Sequence, residues 1–354
     1  MRTAPAGLAA TTVAAEVAKG WGLPVSRLRY VALGGGSYHW FAAASDGGRY
    51  FLTVDDLLDK PWLGADPDSA FCGLRAAFDT ALTLRDQARL DFVVAPVLSV
   101  HGQSAHRLNS RYSLAVFPYV AGKAGRWGTD LTGRDRNALA SLLAELHRST
   151  PAVGALARRR GMALPGRAGL EAALGDLDQP WTGGPFAVQA RAALAAGAGT
   201  VRDWLAEFDS LAAHLPDSDA SLVVTHGEPH PGNIMRADSQ LMLIDWDTVA
   251  LAPPERDLWM LDNAPPGVLA GYTKATGRTV DTMALSYYRL AWTLADIASF
   301  TGRLRSAHER NPDTEHAWQA LRVCFDPESS ARSGPFGRRQ RRRWWRRPWQ
   351  RAAR

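Results

Sequence analysis

The segment THGEPHPGN, residues 225–233, gathers His226, Glu228, His230 and Asn233, and Asp245 follows in the next apolar stretch, LMLIDWD. Two chemistries use such residues. A zinc site of the H-E-x-x-H type needs both imidazoles on one face of a continuous helix. Here the order is H-G-E-P-H, and Pro229 and Pro231 remove backbone donors and clash within a helix. The alternative is phosphoryl transfer, in which one carboxylate takes or orients the proton of an acceptor hydroxyl. An amide oxygen and a second carboxylate then hold magnesium on nucleotide phosphates, because a hard cation takes oxygen ligands. The spacing from Glu228 to Asn233 to Asp245 fits the second chemistry.

These residues need strands that end where the chemistry begins. SLVVT (221–225) runs into the loop, and LMLI (241–244) delivers Asp245 at its end. Upstream, LRYVAL (28–33), SYHWFAAA (37–44) and RYFLTV (49–54) read as an antiparallel meander broken by GGG and DGG turns. FVVAPVLSV (92–100) and YSLAVFPYV (112–120) read as further strands. A helix is expected over 68–89, with Phe71, Leu74, Ala77, Phe78, Ala81 and Leu84 on its buried face. Beyond Gly122 the pattern is mainly helical, over 134–148, 186–214, 266–276 and 280–303. Residues 151–185, which include the run Arg158, Arg159, Arg160, read as an irregular connection or a substrate-side insertion. A mostly β part followed by a mostly α part is α+β organisation.

The paired motifs HGEPHPGN and IDWD resemble those of the aminoglycoside phosphotransferases and related small-molecule kinases of protein-kinase-like fold, H-G-D-x-x-x-x-N followed by I-D-[FW]. The resemblance implies a two-lobe α+β fold, with a nucleotide-binding lobe over 1–120 and a catalytic and substrate lobe over 121–327. It implies ATP and Mg²⁺ as cofactors and a small-molecule hydroxyl acceptor, possible acceptors including aminoglycosides, choline, homoserine and sugars. Glu228 then stands at the catalytic-base position, Asn233 and Asp245 at the magnesium positions, and His226 braces the loop. His230 is expected to pack the loop, and Asp257, in APPERDLWML, to stabilise it. Gly34, Gly35, Gly36 and Ser37 correspond to the phosphate-covering turn, whose other reading is a plain hairpin. Backbone groups around Phe117 and Tyr119 correspond to the adenine-reading connection.

Two departures stand out. Glutamate replaces aspartate at 228, which moves the carboxylate outward by about one methylene, a displacement of the order that costs ~10²-fold in rate when uncompensated. The lysine expected on the third strand is replaced by Thr53, and no partnering helix glutamate is evident. Lys60, one of four lysines in the chain, is the nearest substitute, its other reading being a solvated loop residue. Together these departures favour a non-catalytic nucleotide-binding protein as the alternative, whereas the retention of Asn233 and Asp245 opposes it.

Composition adds bounds. Ten arginines and no acid lie in residues 331–354, and removing them from the net charge of +6 leaves −4 for residues 1–330. A mildly acidic body permits polycationic acceptors, with Asp247, Asp262 and Asp296 as acceptor-side carboxylates or as surface and helix-packing groups. The tail over 328–354 is expected to be disordered. Its arginines, interleaved with Trp344, Trp345 and Trp349, suit nucleic-acid binding, or form a nonessential extension. Cys72 and Cys324 show no disulfide or zinc spacing. No signal-type N-terminus and no apolar run of the ~18 to 20 residues that span a bilayer is present, so a cytoplasmic location is expected.

Overall fold

The computed structural model describes residues 1–126, 129, 131–215, 221–238, 240–261 and 267–325. The Arg/Trp-rich tail and Asp262 lie outside the described residues. The chain forms two compact units, each discontinuous in sequence: one of Met1–Gly125, Thr132–Pro165 and Ser210–Arg289, the other of Arg126–Leu131, Gly166–Asp209 and the residues from Leu290 onward.

The first unit begins with helix α1 (Ala10–Trp21) and strands β1 (Val25–Val31), β2 (Ser37–Ala44) and β3 (Arg49–Asp56). Helix α2 (Pro67–Asp86), strand β4 (His106–Arg107) and strand β5 (Tyr112–Pro118) follow. The five strands make one antiparallel sheet in the order β1-β2-β3-β5-β4. Period-two alternation sorts the side chains onto its two faces. Leu52, Val54, Leu114 and Val116 pack with Val13, Val17 and Trp21 of α1. Phe51, Ala115 and Phe117 pack with Ala70, Leu74 and Phe78 of α2. Register places Ser37 opposite Asp55 and His39 opposite Thr53.

Helix α2 starts where its sequence dictates. Asp66 caps the amides of Asp68 and Ser69, the Ser69 hydroxyl closes the capping box, and Pro67 occupies the first turn. Its buried stripe is Ala70, Leu74, Ala77, Phe78, Ala81 and Leu84. Phe71 instead lies partly exposed under the Arg107 guanidinium, 5.4 Å from its ring centroid. The segment FVVAPVLSV is not a strand. It threads between elements, with Val94 N–H donating to Leu243 and Val97 N–H to Val116. Its proline and its lack of alternation explain that difference.

The same unit continues with β6 (Lys123–Ala124), α3 (Gly133–Arg148) and α4 (Thr150–Val153), and after Ser210 with β7 (Val223–Thr225), β8 (Ile234–Ala237), β9 (Gln240–Leu243) and β10 (Ala250–Ala252). It closes with α7 (Glu255–Leu258), α8 (Gly267–Thr276) and the start of α9 (Thr282–Arg305). Strands β6, β8 and β9 form a small sheet, and β7 pairs with β10. Three of these strands, β6, β8 and β10, are too short for hydrophobic periodicity to reveal them. Part of the expected irregular connection is ordered by β10: Arg159 bridges Leu251 in parallel, and Arg160 N–H donates to the Leu251 carbonyl.

The second unit carries α5 (Arg167–Gly175), most of α6 (Ala187–His214), the rest of α9 and α10 (Pro312–Phe325). Within it, Arg167 forks onto both carboxylate oxygens of Asp209, at 2.5 and 2.8 Å, and Arg305 pairs with Asp176. Among the described residues, no helix is long and apolar enough to cross a membrane.

Candidate phosphoryl-transfer site

Strand β7 delivers the chain into the 226–233 loop, where a buried carboxylate fixes the first turn. Asp257, fully buried on α7, accepts the N–H of His226 at 2.8 Å and of Gly227 at 2.6 Å. His147 of α3 adds its Nε2 at 3.1 Å, and its Nδ1 meets the Tyr272 hydroxyl at 2.7 Å. Burial alone would raise the Asp257 pKa, yet His147, His226 and Arg256 hold it below the ordinary carboxylate value. Gly227 has φ of +97°, and a β-carbon there would lie 2.2 Å from Nη2 of Arg256. Arg256 donates from Nη1 to Thr225 and from Nη2 to the Thr248 carbonyl, so it clamps the loop from below.

His226 ties this loop to the end of β9. Its Nδ1 accepts the Glu228 N–H at 3.2 Å, and its Nε2–H donates to the Ile244 carbonyl at 2.9 Å. Those partners define one neutral tautomer, and burial pushes the imidazole pKa down. Trp246 covers the ring, 4.6 Å between centroids. His230 sits partly buried, pushed down to about 3 by burial and by His226.

A short 3₁₀ turn, Pro231–Asn233, then brings the Asn233 main chain to Ile244, the residue before Asp245. The Asn233 side-chain amide donates to the Glu228 carbonyl at 3.0 Å, and its main-chain carbonyl accepts the Ile244 N–H at 3.0 Å. The side-chain oxygen is therefore the atom left to address a cation. Asp245 follows Ile244 directly and adopts φ of +68°, a left-handed conformation that aspartate reaches more readily than most residues other than glycine and asparagine. Its side chain is solvent-accessible but has dense protein around it. That surrounding raises its pKa well above the ordinary value, Asp247, Glu228 and Asp55 push the same way, and Lys60 opposes them.

Such crowding of carboxylates is relieved by a divalent cation, so the residues present fit Mg²⁺. Among the described residues, no group of three or more His, Cys, Asp or Glu is arranged to hold a metal on its own. Asn233 and Asp245 would supply two oxygens and leave the rest of the shell to phosphate and water, as Mg²⁺ prefers.

Lys60 is not a solvated loop residue. It is fully buried, with its ammonium 2.9 Å from Asp55 and 2.5 Å from Asp247, and it donates to the Ser37 hydroxyl at 3.2 Å. Burial would lower its pKa, but Asp247, Asp55 and Asp245 outweigh that and raise it, so it stays charged. Asp247 is thus neither a surface group nor open to an acceptor. Sequence reasoning missed Asp55 as a partner; its position two residues beyond Thr53 on the same strand face was the available signal. Thr53 itself meets His39 Nδ1 at 3.3 Å, and burial, followed by the amino terminus and Lys60, pushes that imidazole down to about 3.

The turn between β1 and β2 holds Gly34 at φ of +67°, and a β-carbon at Gly35 or Gly36 would meet nothing within 4 Å. Ser37 is committed by its hydroxyl to Asp55, at 2.6 Å. The Phe117 ring packs edge-on against Phe78 in the core, centroids 5.5 Å apart, and Tyr119 is exposed. The Tyr119 N–H already donates to Arg49, so it is not open to read a base edge. In the second unit, Asp296 is partly buried beside Trp292 Nε1, at 3.1 Å, and burial pushes its carboxyl up to about 7.

Comparison with known proteins agrees with this geometry. The Protein StrN of Streptomyces griseus is 26% identical over 271 residues, covering 72% of this chain and 77% of that protein. The crystal structure of spectinomycin phosphotransferase APH(9)-Ia, in complex with ADP and spectinomycin, superposes with a TM-score of 0.72 at 17% identity, over 91% of this chain and 96% of that one. Amicoumacin kinase hAmiN, in complex with AMP-PNP, Ca²⁺ and Ami, gives a TM-score of 0.57 at 14% identity, over 94% of this chain and 97% of that one. The fold is therefore that of these kinases. A profile of the phosphotransferase enzyme family matches residues 31–286. With the Glu228 loop, Asn233 and Asp245 all inside that span, the chain belongs to the phosphotransferase enzyme family and is a small-molecule phosphotransferase.

Proposed function

We propose that this enzyme transfers the γ-phosphoryl group of ATP, with Mg²⁺, to a hydroxyl of an aminoglycoside-type or aminocyclitol antibiotic, and that it works in the cytoplasm. The observation that carries the reading is the double tie on Asn233. Its side chain is bound to the Glu228 carbonyl and its main chain to Ile244, beside Asp245. Base and metal positions are thereby set relative to one another by hydrogen bonds of about 3 Å, as positioning catalysis requires.

Glu228 accepts the hydroxyl proton as the acceptor oxygen bonds to Pγ and the bond from Pγ to the β–γ bridging oxygen breaks, leaving ADP. Asn233 and Asp245 would hold Mg²⁺, which supplies neutralisation of phosphate charge. Lys60 joins Ser37, beside the glycine turn, to Asp247, beside Asp245. Backbone amides of Gly35 and Gly36 cover the phosphates. The antibiotic class is supported by the likeness to the spectinomycin enzyme and by the negative charge of residues 1–330.

The test is a screen with γ-labelled ATP against aminoglycosides and aminocyclitols, spectinomycin included, with Glu228→Ala and Asp245→Ala as controls. Label transferred by wild type and lost in both controls is the expected result. Magnesium-dependent ATP binding with no transfer to any acceptor identifies instead a nucleotide-binding protein, the reading favoured by Thr53 at the lysine position.

A further inference from the structure

The arginine run at 158–160 has no part in the mechanism above, yet the fold fastens its last member to β10, the partner of the strand that leads into the 226–233 loop. The strap is fastened by main-chain bonds: Leu251 N–H donates to Arg158 at 2.7 Å and Arg160 N–H to Leu251 at 2.9 Å. Leu251 pairs with Val224 on the strand that leads into His226, and the Tyr287 hydroxyl holds the Met162 carbonyl at 2.6 Å. The side chain of Arg160, partly buried, feels the charges of Arg256, Tyr287, Tyr288 and Glu228. Arg256 spends its guanidinium on Thr225 and Thr248. The Arg160 guanidinium makes no ion pair and no hydrogen bond among the described residues.

We propose that Arg160 is a further catalytic residue, an arginine supplied in cis that contacts the transferring phosphoryl group beside Glu228. This rests on the phosphotransferase reading and deepens it. In the transition state negative charge spreads over the three equatorial oxygens of the γ-phosphoryl group. The groups closest to that chemistry are carboxylates: Glu228, Asp245 and Asp247. Lys60, the cation expected to serve the phosphates, is already paired with Asp55 and Asp247. Arg160 is a guanidinium without a carboxylate of its own, on a strap that backbone bonds fasten to the strand paired with Val224, four residues before Glu228. Its planar fork suits two phosphoryl oxygens at once. The balance of the step is unchanged: the acceptor oxygen bonds to Pγ, the bond to the β–γ bridging oxygen breaks, the proton passes to Glu228, and Arg160 neither gains nor loses a proton.

The experiment uses the full chain with MgATP and two phosphoryl acceptors, water and spectinomycin, comparing wild type with Arg160→Ala, Arg160→Gln and Arg160→Lys. The expected result for Arg160→Ala is a fall in kcat of about 10²-fold or more, with ATP affinity within about threefold of wild type. Added guanidinium ion is expected to restore part of the rate to Arg160→Ala and none to Glu228→Gln, a rescue that a purely structural arginine would not show. Because the strap is held by main-chain bonds, both truncations should keep the wild-type Tm; if Arg160→Ala unfolds, Arg160→Gln carries the same test. A kcat within threefold of wild type overturns the proposal while leaving the phosphotransferase reading intact. So does a defect confined to KM for spectinomycin, which makes Arg160 an acceptor contact. Wild-type protein that turns over ATP with neither acceptor, and passes no label to any compound of the screen, overturns both.

Discussion

The ammonium of Lys60 and the carboxylate of Asp247 lie 2.5 Å apart, joined across 187 residues of sequence. Removing one partner of a buried ion pair strands the other charge, which costs about 3–5 kcal/mol. Lys60→Ala is therefore expected to lower unfolding free energy by about that amount in a urea titration, and to abolish ATP turnover. Lys60→Met combined with Asp55→Asn and Asp247→Asn should recover most of the stability and none of the turnover. Full stability in Lys60→Ala alone would refute a paired, buried lysine.

Asp245→Asn separates metal binding from folding. Without nucleotide the variant should melt at or slightly above the wild-type Tm, because desolvation and the repulsion of Asp247, Glu228 and Asp55 outweigh the attraction of Lys60 for the charge it loses. The stabilisation of wild type by MgATP, which follows RT ln(1 + [L]/Kd), should vanish in the variant. Thermal melts with and without MgATP read both effects.

Glu228→Asp asks whether the longer side chain is built in. Retracting the carboxylate by about one methylene is expected to cost on the order of 10²-fold in kcat. A rate equal to or above wild type would mean that the loop is still shaped for aspartate.

Asp257 carries a pH signature. Its pKa is depressed in the folded protein, so the stability it confers is fully present above the unfolded value and is lost as pH falls through the folded one. Asp257→Asn should destabilise at pH 7 by roughly 2–4 kcal/mol, since it leaves His147 and the His226 amide poorly matched. That difference should shrink below about pH 4.

Asp296 has the opposite sign. Its carboxyl is raised to about 7, so the folded state binds a proton that the unfolded state has released between about pH 4 and 7. Stability therefore drains away across that window as pH rises. Asp296→Asn should match wild type near pH 4 and exceed it increasingly up to pH 8, as followed by Tm.

What the sequence revealed divides along lines of distance. The shape of the 226–233 loop was readable because proline and glycine exclude an α-helix there. Helix α2 was readable because Leu74, Ala77, Phe78, Ala81 and Leu84 recur at helical spacing along one buried face. The burial of Lys60 was not, because its partner is contributed by a distant loop and no local pattern marks a lysine as paired. Arg160 was seen only as part of a basic run, since its neighbours come from β10, the catalytic loop and α9. The FVVAPVLSV segment reads as a strand by its apolar content, whereas its backbone bonds are scattered over Leu243, Val116, Gln103 and Gly20.

The guanidinium lying over Gly227 also limits which substitutions the catalytic loop can explore. Every amino-acid replacement at Gly227 adds at least a β-carbon, which would stand 2.2 Å from Arg256 Nη2, on a residue that would have to adopt φ of +97°. Alanine at Gly35 or Gly36 meets no neighbour within 4 Å. A mutational library should therefore return Gly35 and Gly36 as tolerant and Gly227 as invariant. Sequence drift has open ground at Gly35 and Gly36 and almost none at the first step of the 226–233 loop.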